Sequence, residues 1–193
     1  MDTRSRIVAA ARAAFERHGL EGLSLRDIAR EVGITPMAIY RHFENKQALV
    51  EALVLDALAA WSAIATAIPK AQPLIWLKRI GDAFLDFALR EPRRFEAAFL
   101  LESHSARRYP DDFVAGHSPA GTLQLQLIEQ AMAQGALVRT APLDVLVMLA
   151  STSQGLVTLY RAGRIAGGER EFRALYRRIM RRCVASFRTE TQE

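Results

Sequence analysis

Residues 24–46, SLRDIAREVGITPMAIYRHFENK, constrain the fold more than any other stretch, because their spacing fits two short helices joined by one tight turn. Ser24 followed by Asp27 is a capping-box-like start, in which a side-chain oxygen accepts from an N–H of the first turn that has no helical partner. Leu25, Ile28, Ala29 and Val32 then recur on one helical face. Gly33 falls where the chain must reverse, and a residue without Cβ takes a positive φ there cheaply. Thr35-Pro36 restarts a helix, with a capping hydroxyl and a proline in the first turn, where its missing N–H is not needed. In that second helix Ile39 and Phe43 face back to the first, which sends Met37, Ala38, Tyr40, Arg41 and His42 elsewhere. The pattern is a helix-turn-helix whose second helix is short, polar on its outer side and able to enter a major groove.

The rest of the chain keeps a 3.6-residue rhythm, with no sustained two-residue alternation. Ile7, Val8, Ala11 and Phe15 make the inner stripe of a first helix that His18-Gly19 closes. Asn45 caps a fourth helix running to about residue 67, apolar nearly all round in its later part. Helices are expected over 73–90, from Glu91-Pro92 through Leu100, from Ser118-Pro119 to Gly135, over 142–162 and over 169–187. Residues 103–117, with Pro110 and Gly116, read as a loop with room for one helical turn. The count is about nine helices in an all-α fold.

Composition narrows the class. A chain of 193 residues, half of them apolar, builds a core without disulfides or metals, and the single cysteine, Cys183, fits a reducing compartment. The first apolar run, 7–11, ends at Arg12 and is too short for a secretory leader, and no uninterrupted apolar stretch reaches membrane-spanning length. A soluble intracellular protein is the expectation. The net charge of +5 is compatible with nucleic acid. Charge alone would place the contact at the C-terminus, where Arg161, Arg164, Arg170, Arg173, Arg177, Arg178, Arg181, Arg182 and Arg188 face only Glu169 and Glu171. That placement is rejected, because the helix-turn-helix supplies geometry and the arginines supply only charge. They read as a solvated helix face or as pairs across a subunit interface.

Three spaced strings occur together: Ala-Phe-x-x-x-Gly at 14–19, Leu-x-x-Ile-Ala-x-x-x-Gly at 25–33 and Tyr-x-x-Phe-x-x-Lys at 40–46. With the preceding helix they resemble the DNA-binding domain of the TetR family of bacterial transcriptional regulators over roughly the first fifty residues. The resemblance implies an N-terminal helix-turn-helix DNA-binding domain at 1–46 and a C-terminal helical effector-binding and dimerisation domain at 47–193. It also implies a cytoplasmic, ligand-responsive repressor that binds a palindromic operator as a homodimer. On the recognition helix, Thr35, Pro36, Met37, Ala38 and Arg41 lie at or near the end that reaches base edges. Met37 and Ala38 can touch a thymine methyl but cannot hydrogen-bond a base, and Arg41 suits either guanine or a phosphate. Tyr40, His42 and Lys46 match family positions that hold the phosphate backbone, and Ser24 or Arg26 can donate to a phosphate at the start of the preceding helix. The competing accounts read Tyr40 as a packed aromatic, His42 as an ordinary exposed histidine, and Pro36 and Met37 as residues that only set helix geometry.

One such module buries little surface, so two half-sites call for a symmetric pair. The last two helices are the candidates for joining subunits, through Leu143, Leu146, Val147, Ala150 and Gln154 on one and Leu175, Ile179 and Cys183 on the other. The same stripes would equally finish the monomer's own core. The resemblance further implies a cavity for a small-molecule effector. Trp61, Trp76, Phe84, Phe87, Phe99, Phe113, Met132, Met148 and Tyr160 are candidate apolar lining, with Thr152, Gln154 and His104 as polar contacts. Coupling between sites would run through the helix that starts at Asn45.

Other classes fit less well. No Gly-x-Ser-x-Gly and no phosphate-binding glycine loop is present, so no catalytic residue, enzyme activity or cofactor is expected. Cys183 among arginines leaves a redox-responsive regulator as an alternative. Glu102, His104, Asp111, Asp112 and His117 leave a metal-responsive one, although their spacing fits no strong ligand pattern and no metal is expected. A helix-turn-helix adaptor acting through protein contacts is the remaining alternative. No membrane contact is expected.

Overall fold

The computed structural model describes residues 2–69 and 71–189, and among these the chain is all-helical, with one isolated bridge between Leu137 and Arg188. The helices are α1 (Thr3–His18), α2 (Leu25–Val32), α3 (Pro36–Tyr40), α4 (Lys46–Thr66), α5 (Pro73–Arg90), α6 (Pro92–Phe99), α7 (Asp111–Val114), α8 (Pro119–Ala133), α9 (Pro142–Arg161) and α10 (Glu169–Ala185). The tenth helix relative to the sequence reading is α7, a four-residue turn inside the segment expected to be a loop. The chain divides into two compact units. One holds the described residues of Met1–Ala60 with Glu91–Ala106, and the other those of Trp61–Arg90 with Arg107–Glu193.

The first unit is built on the apolar stripes of its helices. Ile7, Ala11 and Phe15 of α1, Ile28, Ala29 and Val32 of α2, Ile39 and Phe43 around α3, and Leu49, Val50, Leu53, Val54 and Ala57 of α4 are buried together. Ala97 and Ala98 of α6 close the same core. Burial of each large aliphatic side chain here stabilises the unit by about 1.5–3 kcal/mol. Polar contacts set how the helices meet. Arg6 donates to the Val32 carbonyl at 2.5 Å, and Asp56 of α4 accepts from Arg12 at 3.2 Å and Arg94 at 3.3 Å. Arg94 also pairs with Glu91 at 2.7 Å, so one carboxylate of α4 ties α1 to α6.

The second unit has an aliphatic core of Leu77, Ile128, Ala131, Met132, Leu137, Val145, Leu146 and Leu149, drawn from α5, α8, α9 and the turn after α8. Trp61 sits edge-on to Phe84 with ring centroids 5.2 Å apart and lies 5.8 Å from Phe87. A buried polar chain links three helices: Tyr176 Oη donates to the Gly81 carbonyl at 3.0 Å and in turn accepts from the Ser153 hydroxyl. Burial pushes the Tyr176 phenol up to about 12, against the smaller effect of Ser153.

Charged residues interrupt every apolar run, Glu51 and Asp56 in α4 and Asp144 in α9, yet both helices are long and apolar enough to cross a membrane by length and composition alone. Their apolar character has another use. α4 supplies six buried residues to the first core, and α9 supplies Val145, Leu146 and Leu149 to the second. Only 28% of the apolar window of α9 is buried, and Met148 and Leu159 on it stand open to solvent.

Candidate nucleic-acid interface

The recognition element is assembled by caps and a tight reversal. Ser24 Oγ accepts from Asp27 N–H at 3.4 Å to start α2. Gly33 ends α2 at φ 75° and ψ 35° in the left-handed region. There the Ile34 N–H reaches Ala29 O at 2.9 Å and the Gly33 N–H reaches Arg30 O at 3.2 Å, the paired bonds of a Schellman cap. Thr35 Oγ1 accepts from Ala38 N–H at 3.1 Å and Pro36 fills the first turn of α3. Since each capping hydroxyl accepts, its own O–H stays available as a donor.

Two residues fasten this short helix and the rest face outward. Ile39 is fully buried and Phe43 nearly so, with the Arg4 guanidinium 5.0 Å over the Phe43 ring. Thr35, Pro36, Met37, Tyr40, Arg41 and His42 are exposed and Ala38 is half-buried; Ser24, which caps α2, is half-buried too, and Arg26 beside it is exposed. Met37 is 73% exposed and Tyr40 48%, too much for either to be core. A protruding helix with apolar, hydroxyl and cationic groups on one side can meet base edges and phosphates together. Lys46 takes a second role, because its Nζ donates to the Leu20 carbonyl at 2.8 Å and buckles the start of α4 to the α1–α2 turn.

The other candidate residues separate between the two units. Trp61, Trp76, Phe84, Phe87 and Met132 are buried in the second unit, where Phe113, Thr152, Gln154 and Tyr160 are partly buried. Tyr160 stacks flat on Phe172 at 4.0 Å, and Thr152 Oγ1 lies 3.8 Å from Cys183 Sγ. Met148 is 47% exposed. Phe99 and His104 are not with them: both belong to the first unit, where Phe99 packs on Phe95 with centroids 5.3 Å apart. Among the residues read as joining subunits, Leu146 is buried in its own core. Leu143, Val147, Gln154, Leu175, Ile179 and Cys183 are partly covered, and Ala150 is exposed. In the acidic and histidine loop, His117 Nδ1 lies 2.9 Å from Asp112 Oδ1, and Asp112 also accepts from the Arg108 N–H at 2.7 Å.

Sequence reasoning passed over Glu51. Its carboxylate accepts from Ser103 Oγ, from the His104 N–H at 2.9 Å and from the Ser105 N–H at 2.9 Å. The Ser103 hydroxyl bond, helped by the Ser105 and His104 bonds, holds the Glu51 carboxyl down at about 2. The signal was present: Glu51 and Asp56 are the two carboxylates in an otherwise apolar run of α4, and such groups require partners.

A capped two-helix reading element fastened to an all-helical body defines a helix-turn-helix DNA-binding protein. Residues 7–53 match the family model described as bacterial regulatory proteins, tetR family, and residues 77–183 match the tetracyclin repressor-like C-terminal domain. The chain belongs to the TetR family of transcriptional regulators. The HTH-type transcriptional regulator TtgR of Pseudomonas putida is 49% identical over 57 residues, which are 30% of this chain and 27% of that protein. The similarity to that relative thus spans little more than a quarter of its length. A solved structure of a protein from Rhodococcus sp. RHA1 superposes with a TM-score of 0.80 at 22% identity, covering 98% of this chain and 97% of that one. A TetR variant from Acinetobacter baumannii AYE, solved in complex with minocycline, superposes with a TM-score of 0.67 at 18% identity and covers 96% of each chain.

Proposed function

We propose that this chain is a cytoplasmic, ligand-responsive repressor that binds a palindromic operator as a homodimer and carries out no catalysis. Residues 1–46 read DNA, and residues 47–193 hold the effector and pair the subunits, the described part of that span ending at 189. The observation that carries the reading is the outward side of α3, where Thr35, Met37, Tyr40, Arg41 and His42 stand exposed while Ile39 and Phe43 anchor the helix. Tyr40, His42 and Lys46 hold phosphates and set register. Met37, Ala38 and Arg41 meet the bases. Pairing is supported by the exposed apolar side chains of α9 beside the half-covered stripe of α10.

The effector is a small molecule with apolar surface, in keeping with the buried Trp61, Phe84 and Phe87 cluster and with the minocycline held by a structural relative. Its binding shifts α4 and changes the spacing of the two heads. Selection of bound duplexes from a random pool tests the reading. Enrichment of an inverted repeat is expected, and a pool that stays random at moderate ionic strength overturns it.

A further inference from the structure

The stretch of α4 that enters the first core carries one carboxylate whose bonding capacity is full. Glu51 Oε1 accepts from Gln47 Nε2 at 3.0 Å and from the His104 N–H at 2.9 Å, while Oε2 accepts from the Ser105 N–H at 2.9 Å and from the Ser103 hydroxyl. A carboxylate offers about four lone-pair sites, and all of them are taken. Three of the donors come from residues 103–105, which follow α6 and precede the step from Ala106 to Arg107 where the chain passes from one compact unit to the other. That segment is not helical, and its own backbone bond is a single turn from the Ala106 N–H to Ser103 O at 3.2 Å. Charge-assisted bonds to Glu51 are therefore what seats it on α4.

We propose that Glu51 is a positioning residue for operator binding: by clasping residues 103–105 to α4 it fixes one of the three points at which the chain passes between the two units, the others being 60–61 within α4 and 90–91. The proposal rests on the reading of the chain as a paired operator binder. Such a binder gains from its second half-site only as far as the second head is held within reach of it, and slack in the connection lowers the effective concentration of that head. None of the Glu51 bonds goes to an outward residue of α3. Loosening the clasp therefore weakens binding that needs two heads and spares binding that needs one.

The test uses the full-length protein and the duplex enriched from the random pool, beside the same duplex with one half-site scrambled. Glu51→Gln and Ser103→Ala are compared with wild type, and Ser103→Thr, which keeps the hydroxyl, serves as the rescue. Hydrogen exchange reports whether the His104 and Ser105 amides are released. Release together with a two-site Kd weakened about fivefold or more, an unchanged one-site Kd and wild-type behaviour of Ser103→Thr is the expected result. A two-site Kd within about twofold of wild type although the amides are released overturns the proposal, as does equal weakening on both duplexes. If Glu51→Gln fails to fold, Ser103→Ala carries the same comparison. A wild type that holds neither duplex overturns the function reading and this proposal with it, whereas unchanged variants beside a binding wild type overturn the clasp alone.

Discussion

Substitutions at Phe43 and Tyr40, three residues apart, are expected to break different properties. Phe43 is 2% exposed, and a phenyl side chain of about 150–250 Å² removed from water at about 25 cal/mol per Å² is worth roughly 4–6 kcal/mol. The Arg4 guanidinium 5.0 Å over the ring adds about 0.5–1 kcal/mol. Partial collapse of the site offsets some of this, so Phe43→Ala should cost about 4 kcal/mol and Phe43→Leu about 1–1.5 kcal/mol. The larger loss approaches the whole stability of an ordinary domain, about 5–15 kcal/mol. Tyr40 is 48% exposed, and Tyr40→Phe should stay within about 0.5 kcal/mol of wild type. Urea denaturation followed by circular dichroism gives the stabilities, and fluorescence anisotropy on labelled duplexes gives the affinities. Tyr40→Phe should weaken binding to every duplex by about 1 kcal/mol, near fivefold, through a lost phosphate bond, with base preference intact. Phe43→Leu should bind nearly as wild type in the absence of urea. A stable Phe43→Ala, or a Tyr40→Phe that loses more than about 2 kcal/mol of stability, would show that the assignment of inner and outer faces of α3 is wrong.

Other substitutions test the frame around the site. Gly33→Ala should cost about 1–2 kcal/mol through the left-handed backbone alone, since a Cβ there meets nothing within 4 Å, and Gly33→Asn should cost less; thermal denaturation of both variants checks it. Tyr176→Phe should destabilise by about 1–3 kcal/mol, because it leaves the Gly81 carbonyl and the buried Ser153 hydroxyl without their partner; urea midpoints measure this. For pH, Glu51 sits at about 2 in the folded chain against an ordinary 4.5, so its clasp stabilises in full above about 4.5 and is lost as pH falls from there through about 2. Stability of wild type minus that of Glu51→Gln, measured between those values, should shrink toward zero, while a difference constant with pH would contradict the assignment.

Legibility in the sequence followed the range of the interactions. The α2–α3 unit was readable because its determinants are local: a cap, a φ-positive glycine and a proline each act within four residues. Helix ends held to within one or two positions for the same reason, α10 closing at Ala185 where residue 187 was expected. The effector candidates were chosen by residue type, and type does not say which core a ring joins. Phe99 and His104 therefore fell in with Trp61 and Phe84 although residues 91–106 belong to the other compact unit. Nothing near residues 91–106 in the sequence announces their return to α1 and α4. The carboxylates that make it, Asp56 and Glu51, lie 38 residues from Arg94 and 52 from Ser103 respectively.

Net charge is the property for which local and long-range readings diverge most. Counted along the chain, the C-terminal arginines form the strongest basic feature, yet several are already committed. Arg173 meets Asp86 at 2.5 Å and Glu169 at 2.7 Å, and Arg177 meets Asp82 at 2.7 Å, so these two tie α10 to the aspartates of α5. Arg170 is held by Glu171 at 2.7 Å. A guanidinium in a hydrogen-bonded pair must give up that partner to take a phosphate, and the counterion release that drives nucleic-acid binding is correspondingly smaller. The N-terminal unit spends cations in the same way, with Arg6 on the Val32 carbonyl, Arg12 and Arg94 on Asp56, and Arg17 on Glu31 at 3.3 Å. What distinguishes it is therefore not an excess of charge. It is that Arg41 stands exposed on a helix whose neighbours Thr35, Met37 and Tyr40 face the same solvent, and only such a juxtaposition can bring a cation, a hydroxyl and an apolar group to one groove at once.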